Sequence, residues 1–197
     1  MKIAVDIDDT LNIVKRLELG SAYIERKGLS FKVKDPVSNK LVEIFDWTIE
    51  DVLHFVREEG GVVLYTDAEA RKGAKEALEG WRKLGHEVVI LTSRKKEWFD
   101  NPERVSRDWL EKRRLPYDEI VAEVAFGEKG AYCAEHGISI LVDDDPEAVS
   151  SAQSRGVAAV FAVGRHNVGR ANEFQYSAAN WKQIDLAVKH IIATRGL

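Results

Sequence analysis

Short apolar, β-branched runs alternate with longer amphipathic stretches along most of this chain, and the alternation predicts its architecture. Ile3 to Ile7, Val88 to Leu91, Ile120 to Phe126, Ile138 to Val142 and Val157 to Val163 read as buried strands. From Asp67 the period changes: Ala70, Ala74, Ala77, Leu78, Trp81 and Leu84 share one helical face, and Gly85 stops it. Pro102 to Arg113 reads as a helix behind Asn101, with proline in its first turn. Glu128 to His136, Pro146 to Arg155 and Trp181 to Thr194 read as further helices. Strands alternating with helices of this length predict an α/β fold, a doubly wound Rossmann-like sheet of mostly parallel strands.

One stretch departs from the alternation. Leu11 to Lys27 has helical spacing, ended by Gly28. Phe31 to Lys34 and Leu41 to Phe45, separated by turn residues, read as a short hairpin. Asp46 to Gly61 opens with a capping-box variant, Thr48-x-x-Asp51, and reads as an amphipathic helix stopped at Gly60-Gly61. The expected division is a core of residues 1–10 and 68–197 and an insertion of residues 11–67. An insertion straight after the first strand overlies the carboxyl edge of the sheet, where a lid would sit.

Composition narrows the class. The 197 residues are 45% hydrophobic and 31% charged, as in an ordinary soluble globular protein. The net charge of −4, without a long basic block, argues against a nucleic-acid-binding surface. No apolar stretch approaches the roughly twenty residues of a membrane span. The N-terminus does not read as a signal peptide, so a cytoplasmic protein is expected. The single cysteine, Cys133, reads as a packing residue.

The chemistry gathers at strand ends. Val5-Asp6-Ile7-Asp8-Asp9-Thr10 sets Asp6 and Asp8 on the same side where the first strand finishes. Thr92 and Ser93 end the second strand, and Asp143 to Asp145 end the fourth. In a parallel sheet these ends share one edge, the edge at which open α/β sheets bind ligands. Crowded carboxylates raise a pKa or hold a divalent cation, and a carboxylate is a competent nucleophile toward phosphorus. Asp6, the Asp8 carbonyl and Asp143 or Asp144 would make an oxygen-rich Mg²⁺ site. Thr92 and Lys129 would hold phosphate oxygens.

These residues resemble the four spaced motifs of the haloacid dehalogenase (HAD) superfamily. The motifs are D-x-D-x-T at Asp6 to Thr10, a strand ending at Thr92, a helix-opening Lys129, and a strand ending in Asp143 and Asp144. The resemblance implies Asp6 as nucleophile, Asp8 as general acid/base, and Thr92 and Lys129 on the phosphoryl group. It assigns Asp6, Asp8, Asp143 and Asp144 to Mg²⁺, and makes residues 11–67 a small, mainly helical C1 cap. Within the superfamily the pattern is most similar to the 5′(3′)-deoxyribonucleotidase-like group. A small phosphorylated substrate, such as a nucleotide, would then be the partner, with Phe45, Trp47 and Tyr65 as candidate base-stacking rings or core residues.

Other residues keep two readings. Ser93 and Arg94 are candidate phosphate ligands, Ser93 also being a turn residue. Asp9 reads as a solvated or helix-capping group rather than a ligand, and Asp145 as a helix cap or a support of the metal site. The five histidines lack metal spacing and read as surface or packing residues, while Arg165-His166-Asn167, near the active edge by topology, is a candidate substrate contact. A Mg²⁺-dependent phosphomonoesterase is the expected function. A non-catalytic phosphate sensor, a phosphatase on sugar or other small phosphates, a 3′-phosphatase on nucleic-acid ends and a phosphomutase are the alternatives.

Overall fold

The computed structural model describes residues 1–196. The chain opens with β1 (Lys2–Val5), the two-residue β2 (Asn12–Ile13) and α1 (Arg16–Lys27). Three short helices follow, α2 (Leu41–Phe45), α3 (Ile49–Phe55) and α4 (Gly61–Thr66), with one π turn at Val56–Gly60. β3 (Glu69–Ala70), α5 (Ala74–Lys83), β4 (Glu87–Leu91), α6 (Pro102–Arg113) and β5 (Glu119–Val121) come next. The chain closes with α7 (Lys129–Glu135), β6 (Ile138–Asp143), α8 (Pro146–Ser154), β7 (Ala158–Ala162), β8 (Ser177–Ala178) and α9 (Trp181–Arg195).

The main sheet runs β5-β4-β1-β6-β7-β8, every pair parallel. The chain builds outward from β1 through β4 to β5, then crosses back to β6, so the strand order reverses beside β1. That reversal opens a crevice at the carboxyl ends of β1 and its neighbours.

Strand alternation divides the core. Ile3, Val5, Val88, Ile90, Ile140, Val142 and Val160 face α5, α6 and α9, where Trp81, Trp109 and Trp181 are fully buried. Ala4, Val89, Leu91, Leu141, Ala159 and Phe161 face α7 and α8. Each of these three indoles finds an acceptor, because an unpaired N–H would be costly there. Trp181 Nε1 donates to the Thr10 carbonyl at 3.0 Å, so α9 pins the loop that follows β1. The same alternation sends Asp6 and Asp143 to the α7 side of the sheet.

A third cluster lies apart from the sheet. Tyr23, Leu41, Ile44, Phe45, Trp47, Val52, Phe55, Leu64 and Tyr65 pack together, joined by Phe99 from the segment after β4. The chain enters and leaves this region through an antiparallel ribbon, β2 against β3, with Asn12 opposite Ala70.

Three expectations fail within this stretch. Leu41 to Phe45 is helical, because Leu41, Ile44 and Phe45 at i, i+3 and i+4 all bury on one face; no hairpin forms. The Thr48–Asp51 capping box is present. Gly60-Gly61 does not stop the chain, which passes through the π turn into α4. The helix expected from Asp67 begins at Ala74, since Glu69–Ala70 is drawn into the ribbon. Elsewhere the third strand stops at Val121, and the chain from 122 to 125 leaves the sheet, Glu123 taking φ 65°.

α7 crosses α8 at Gly130, where an added Cβ would lie 2.2 Å from the Ser151 carbonyl carbon. Backbone cannot give way as a flexible side chain can. Gly130→Ala should therefore cost about 3 kcal/mol and displace the first turn of α7, which carries Lys129. Thermal melting of the variant measures the first effect and its crystal structure the second.

Candidate active site

Lys129 opens α7 and is completely buried, which an ammonium tolerates only when paired. Its Nζ donates to Asp6 Oδ1 and to Asp143 Oδ2, each at 2.7 Å. The Asp6 amide extends the β1–β6 ladder by donating to the Val142 carbonyl at 3.0 Å, which fixes the residue at the sheet edge. Asp143 Oδ1 accepts from the Asp145 amide at 2.9 Å. Asp145 then caps α8 through its own carboxylate, so of its two readings the cap is the one occupied.

Asp144 is the third buried carboxylate. Thr10 Oγ1 donates to its Oδ1 at 3.0 Å, and His166 Nε2 lies 2.9 Å from its Oδ2. Asn167 Nδ2 donates to the Asp144 carbonyl at 2.8 Å and to the Ala162 carbonyl at 3.0 Å. The segment after β7 thus reaches the edge, and His166 is a partner of the acidic group rather than a surface or packing residue.

Oxygens of Asp6, Asp143 and Asp144 lie within 4.8 Å of one another. Burial pushes the Asp6 carboxyl up to about 8, against the opposing pull of Lys129, with Asp143 adding to the rise. Burial likewise lifts Asp143 and Asp144 to about 6 each. Lys129 is raised in turn: burial works against its charge, but Asp143 and Asp6 outweigh it. A cluster of hard oxygen donors that resists full ionisation is a chemical fit for a divalent cation.

This gives a signed prediction. A carboxyl raised in the folded state holds its proton more tightly than in the unfolded chain, so stability falls as pH rises from about 4 to 8. A cation replaces those protons, and its benefit should grow with pH. Saturating Mg²⁺ at about a hundred times its Kd should raise Tm by roughly 5–10 °C near pH 8. Differential scanning fluorimetry near pH 5 should show less than half that shift.

Asp8 sits differently. Arg94 grips it through two bonds, Nε to Oδ2 at 2.8 Å and Nη2 to Oδ1 at 2.7 Å, and Asn12 Nδ2 adds a third at 2.9 Å. Burial alone would raise this carboxyl, but Arg94 holds it below the usual range. Arg94 is buried, with Nη1 on Ser106 Oγ and its guanidinium over the Tyr65 ring. Its fork is therefore spent on Asp8, not left facing a phosphate. Ser93 is committed as well, its hydroxyl donating to the Val124 carbonyl at 2.7 Å. Thr92 is buried at the end of β4, its hydroxyl accepting from the Arg94 amide.

Asp9 turns the chain with φ 65°, a conformation that costs a β-carbon residue about 1 kcal/mol. Its carboxylate pairs with Arg16 and accepts from the Val14 amide. Phe45, Trp47 and Tyr65 are packed inside the third cluster at 0%, 4% and 3% exposure, so none presents a face for stacking. Cys133 is buried, and burial pushes its thiol up to about 12, which suits a packing residue. Among the described residues no helix is long and apolar enough to cross a membrane.

Asn12 and Arg71 had no signal in the sequence. Both lie at the neck of the insertion, and only the pairing of β2 with β3 brings them to the edge. Arg71 donates to the carbonyls of Asp9, Val163 and Ala179, bracing three loops.

No protein-family profile matches the chain. Over 153 residues it is 29% identical to a candidate nucleotidase of Bacillus cereus, an alignment covering 74% of this chain and 77% of that protein. It is similar in structure to a predicted phosphatase of Clostridium acetobutylicum, with a TM-score of 0.68, 14% identity, and 96% and 98% of the two chains covered. A HAD hydrolase of family IA, variant 3, from Entamoeba histolytica gives 0.64 at 15% identity, over 96% and 98%. In fold the chain is similar to these HAD-superfamily hydrolases and phosphatases of known structure.

Proposed function

We propose that the protein is a Mg²⁺-dependent phosphomonoesterase in which Asp6 is the nucleophile. The carrying observation is the buried Asp6–Lys129–Asp143 group, one ammonium within 2.7 Å of two carboxylates at the sheet edge. Asp6 attacks phosphorus, the bond to the ester oxygen breaks, and Asp8 gives that oxygen its proton. Asp8 then takes a proton from water, whose oxygen attacks the aspartyl-phosphate and releases inorganic phosphate. The ionised Asp8 held by Arg94 is the form this second half needs. Giving a proton in the first half requires Asp8 to leave the Arg94 fork. Lys129 and the Thr92 hydroxyl hold phosphoryl oxygens. Asp6, the Asp8 carbonyl, Asp143 and Asp144 would hold Mg²⁺, which supplies charge neutralisation for the transferring group.

On this reading residues 11–67 form the cap, docked over the edge through Tyr65 and Phe99. The name of the Bacillus cereus relative supports a nucleotide substrate. The burial of Phe45, Trp47 and Tyr65 favours a small phosphate ester without a stacked base. Phosphate release from deoxynucleotides, ribonucleotides, sugar phosphates and a chromogenic ester tests the reading. Release that requires Mg²⁺ and stops with chelator is expected. No release from any ester, with Mg²⁺ and nucleotide still bound, would put a sensing role in its place.

A further inference from the structure

A cleft of about 350 Å³ is lined by Asp9, residues 12–18 and 36–39, Arg71 and Gly164 to His166. It begins where the reactive cluster ends, because Asn12 in its wall bonds Asp8 and His166 bonds Asp144. An ester whose phosphoryl group meets Asp6 would project its leaving group into this space, so the inference rests on the phosphatase reading.

The charges of the wall are unbalanced. Lys15, Arg16, Arg71 and Arg165 face Asp9 and Glu18. Arg16 is paired with Asp9, and Lys15 lies 3.7 Å from Glu18. Arg71 is anchored by main-chain carbonyls alone, which fix its guanidinium without neutralising it. Arg165 is exposed two residues beyond Val163, whose carbonyl Arg71 holds. Among the described residues neither arginine has a carboxylate partner. Two uncompensated guanidinium groups on one wall are an anion-binding arrangement, against a chain of net charge −4. Among the described residues no Phe, Tyr or Trp ring lines the cleft.

We infer that this cleft selects phosphate esters whose leaving group carries a second anionic group, a carboxylate or a further phosphate, read by Arg165 beside the braced Arg71. The shared chemistry is the second negative charge.

Calorimetric titration with non-hydrolysable phosphonates tests this without turnover. Propylphosphonate, 3-phosphonopropanoate and a bisphosphonate of equal length would be titrated, with Mg²⁺, into wild type and Arg165→Gln. In wild type the carboxylate or the second phosphonate should tighten binding about tenfold over propylphosphonate, and whichever gains more names the source. In Arg165→Gln the gain should fall below about threefold, and 0.5 M salt should shrink the wild-type gain as well. Equal affinities in wild type, or a gain that Arg165→Gln leaves intact, overturns the inference. Release of phosphate from ethyl phosphate and 2-phosphoglycolate is followed in parallel. No release from either or from any ester of the panel above, with the binding gain present, sinks the phosphatase reading and leaves the anion site standing. Release without a binding gain does the reverse.

Discussion

Asp6→Asn should lower kcat by at least about 10⁴-fold on every ester, because an amide oxygen does not displace an alkoxide from phosphorus. The fold should survive. Asn has the shape of Asp, and Asp6 lies where its charge is disfavoured, its carboxyl pushed up to about 8 by burial. Lys129 keeps Asp143 as its counter-ion after the exchange. The melting temperature of the variant should therefore stay within a few degrees of wild type, which separates lost chemistry from lost structure. Residual activity above about 1% would take the nucleophile role from Asp6. Trapping adds a direct check: wild type, quenched in acid during turnover of a ³²P-labelled ester, should retain label that hydroxylamine removes. Asp6→Asn should retain none.

The elements built on strict periodicity were legible. Five buried runs gave five strands of the sheet, and α6, α8 and α9 began at their polar caps, Asn101, Asp145 and Asn180. What failed had short or mixed signals. Leu41 to Phe45 fits a strand by composition, and only the apolar surface it meets at Trp47 and Phe55 decides for helix. β2, β3 and β8 are two residues each, too short to carry a period. Gly60-Gly61 reads as a stop, but the chain runs on through the π turn into α4.

The site divides along the same line. Asp6, Lys129 and Asp143 could be brought together from the sequence because each sits at a strand end or helix start whose place the α/β pattern dictates. The partnerships around them depend on loops, which have no such pattern. Arg94 follows Thr92 closely enough to suggest a phosphate ligand, yet the turn after β4 aims it at Asp8. His166 has no metal spacing in sequence and reaches Asp144 only because Asn167 ties the loop after β7 to the Asp144 and Ala162 carbonyls. Of the two roles open to Phe45, Trp47 and Tyr65, the core role is the one they fill, since a small insertion needs them to build any core of its own.

Lys129→Met tests how far the Asp6–Asp143 cluster is held together by its buried ammonium. Removing one partner of a buried ion pair leaves charge uncompensated and costs about 3–5 kcal/mol, which is roughly 10 °C in Tm for a chain of this size. The size of the loss should depend on pH, and the sign is fixed. Without Lys129 the carboxyls of Asp6 and Asp143 lose the pull that opposes burial, so their folded pKa values rise further above the unfolded ones. Stability then falls more steeply than in wild type as pH rises from about 4 to 8. Near pH 5 both groups take up protons and the variant should come closest to wild type; near pH 8 the gap should be widest. Mg²⁺ should narrow the gap near pH 8, because a cation at Asp6 and Asp143 answers the same charge. Turnover should not recover with it. Lys129 is also the ammonium proposed to hold the phosphoryl group, and kcat/KM should stay down by about 10²–10³-fold at saturating Mg²⁺. Melting curves at the two pH values, with and without Mg²⁺, separate these roles. A loss of stability equal at both would mean that Lys129 does not act on the site through its charge.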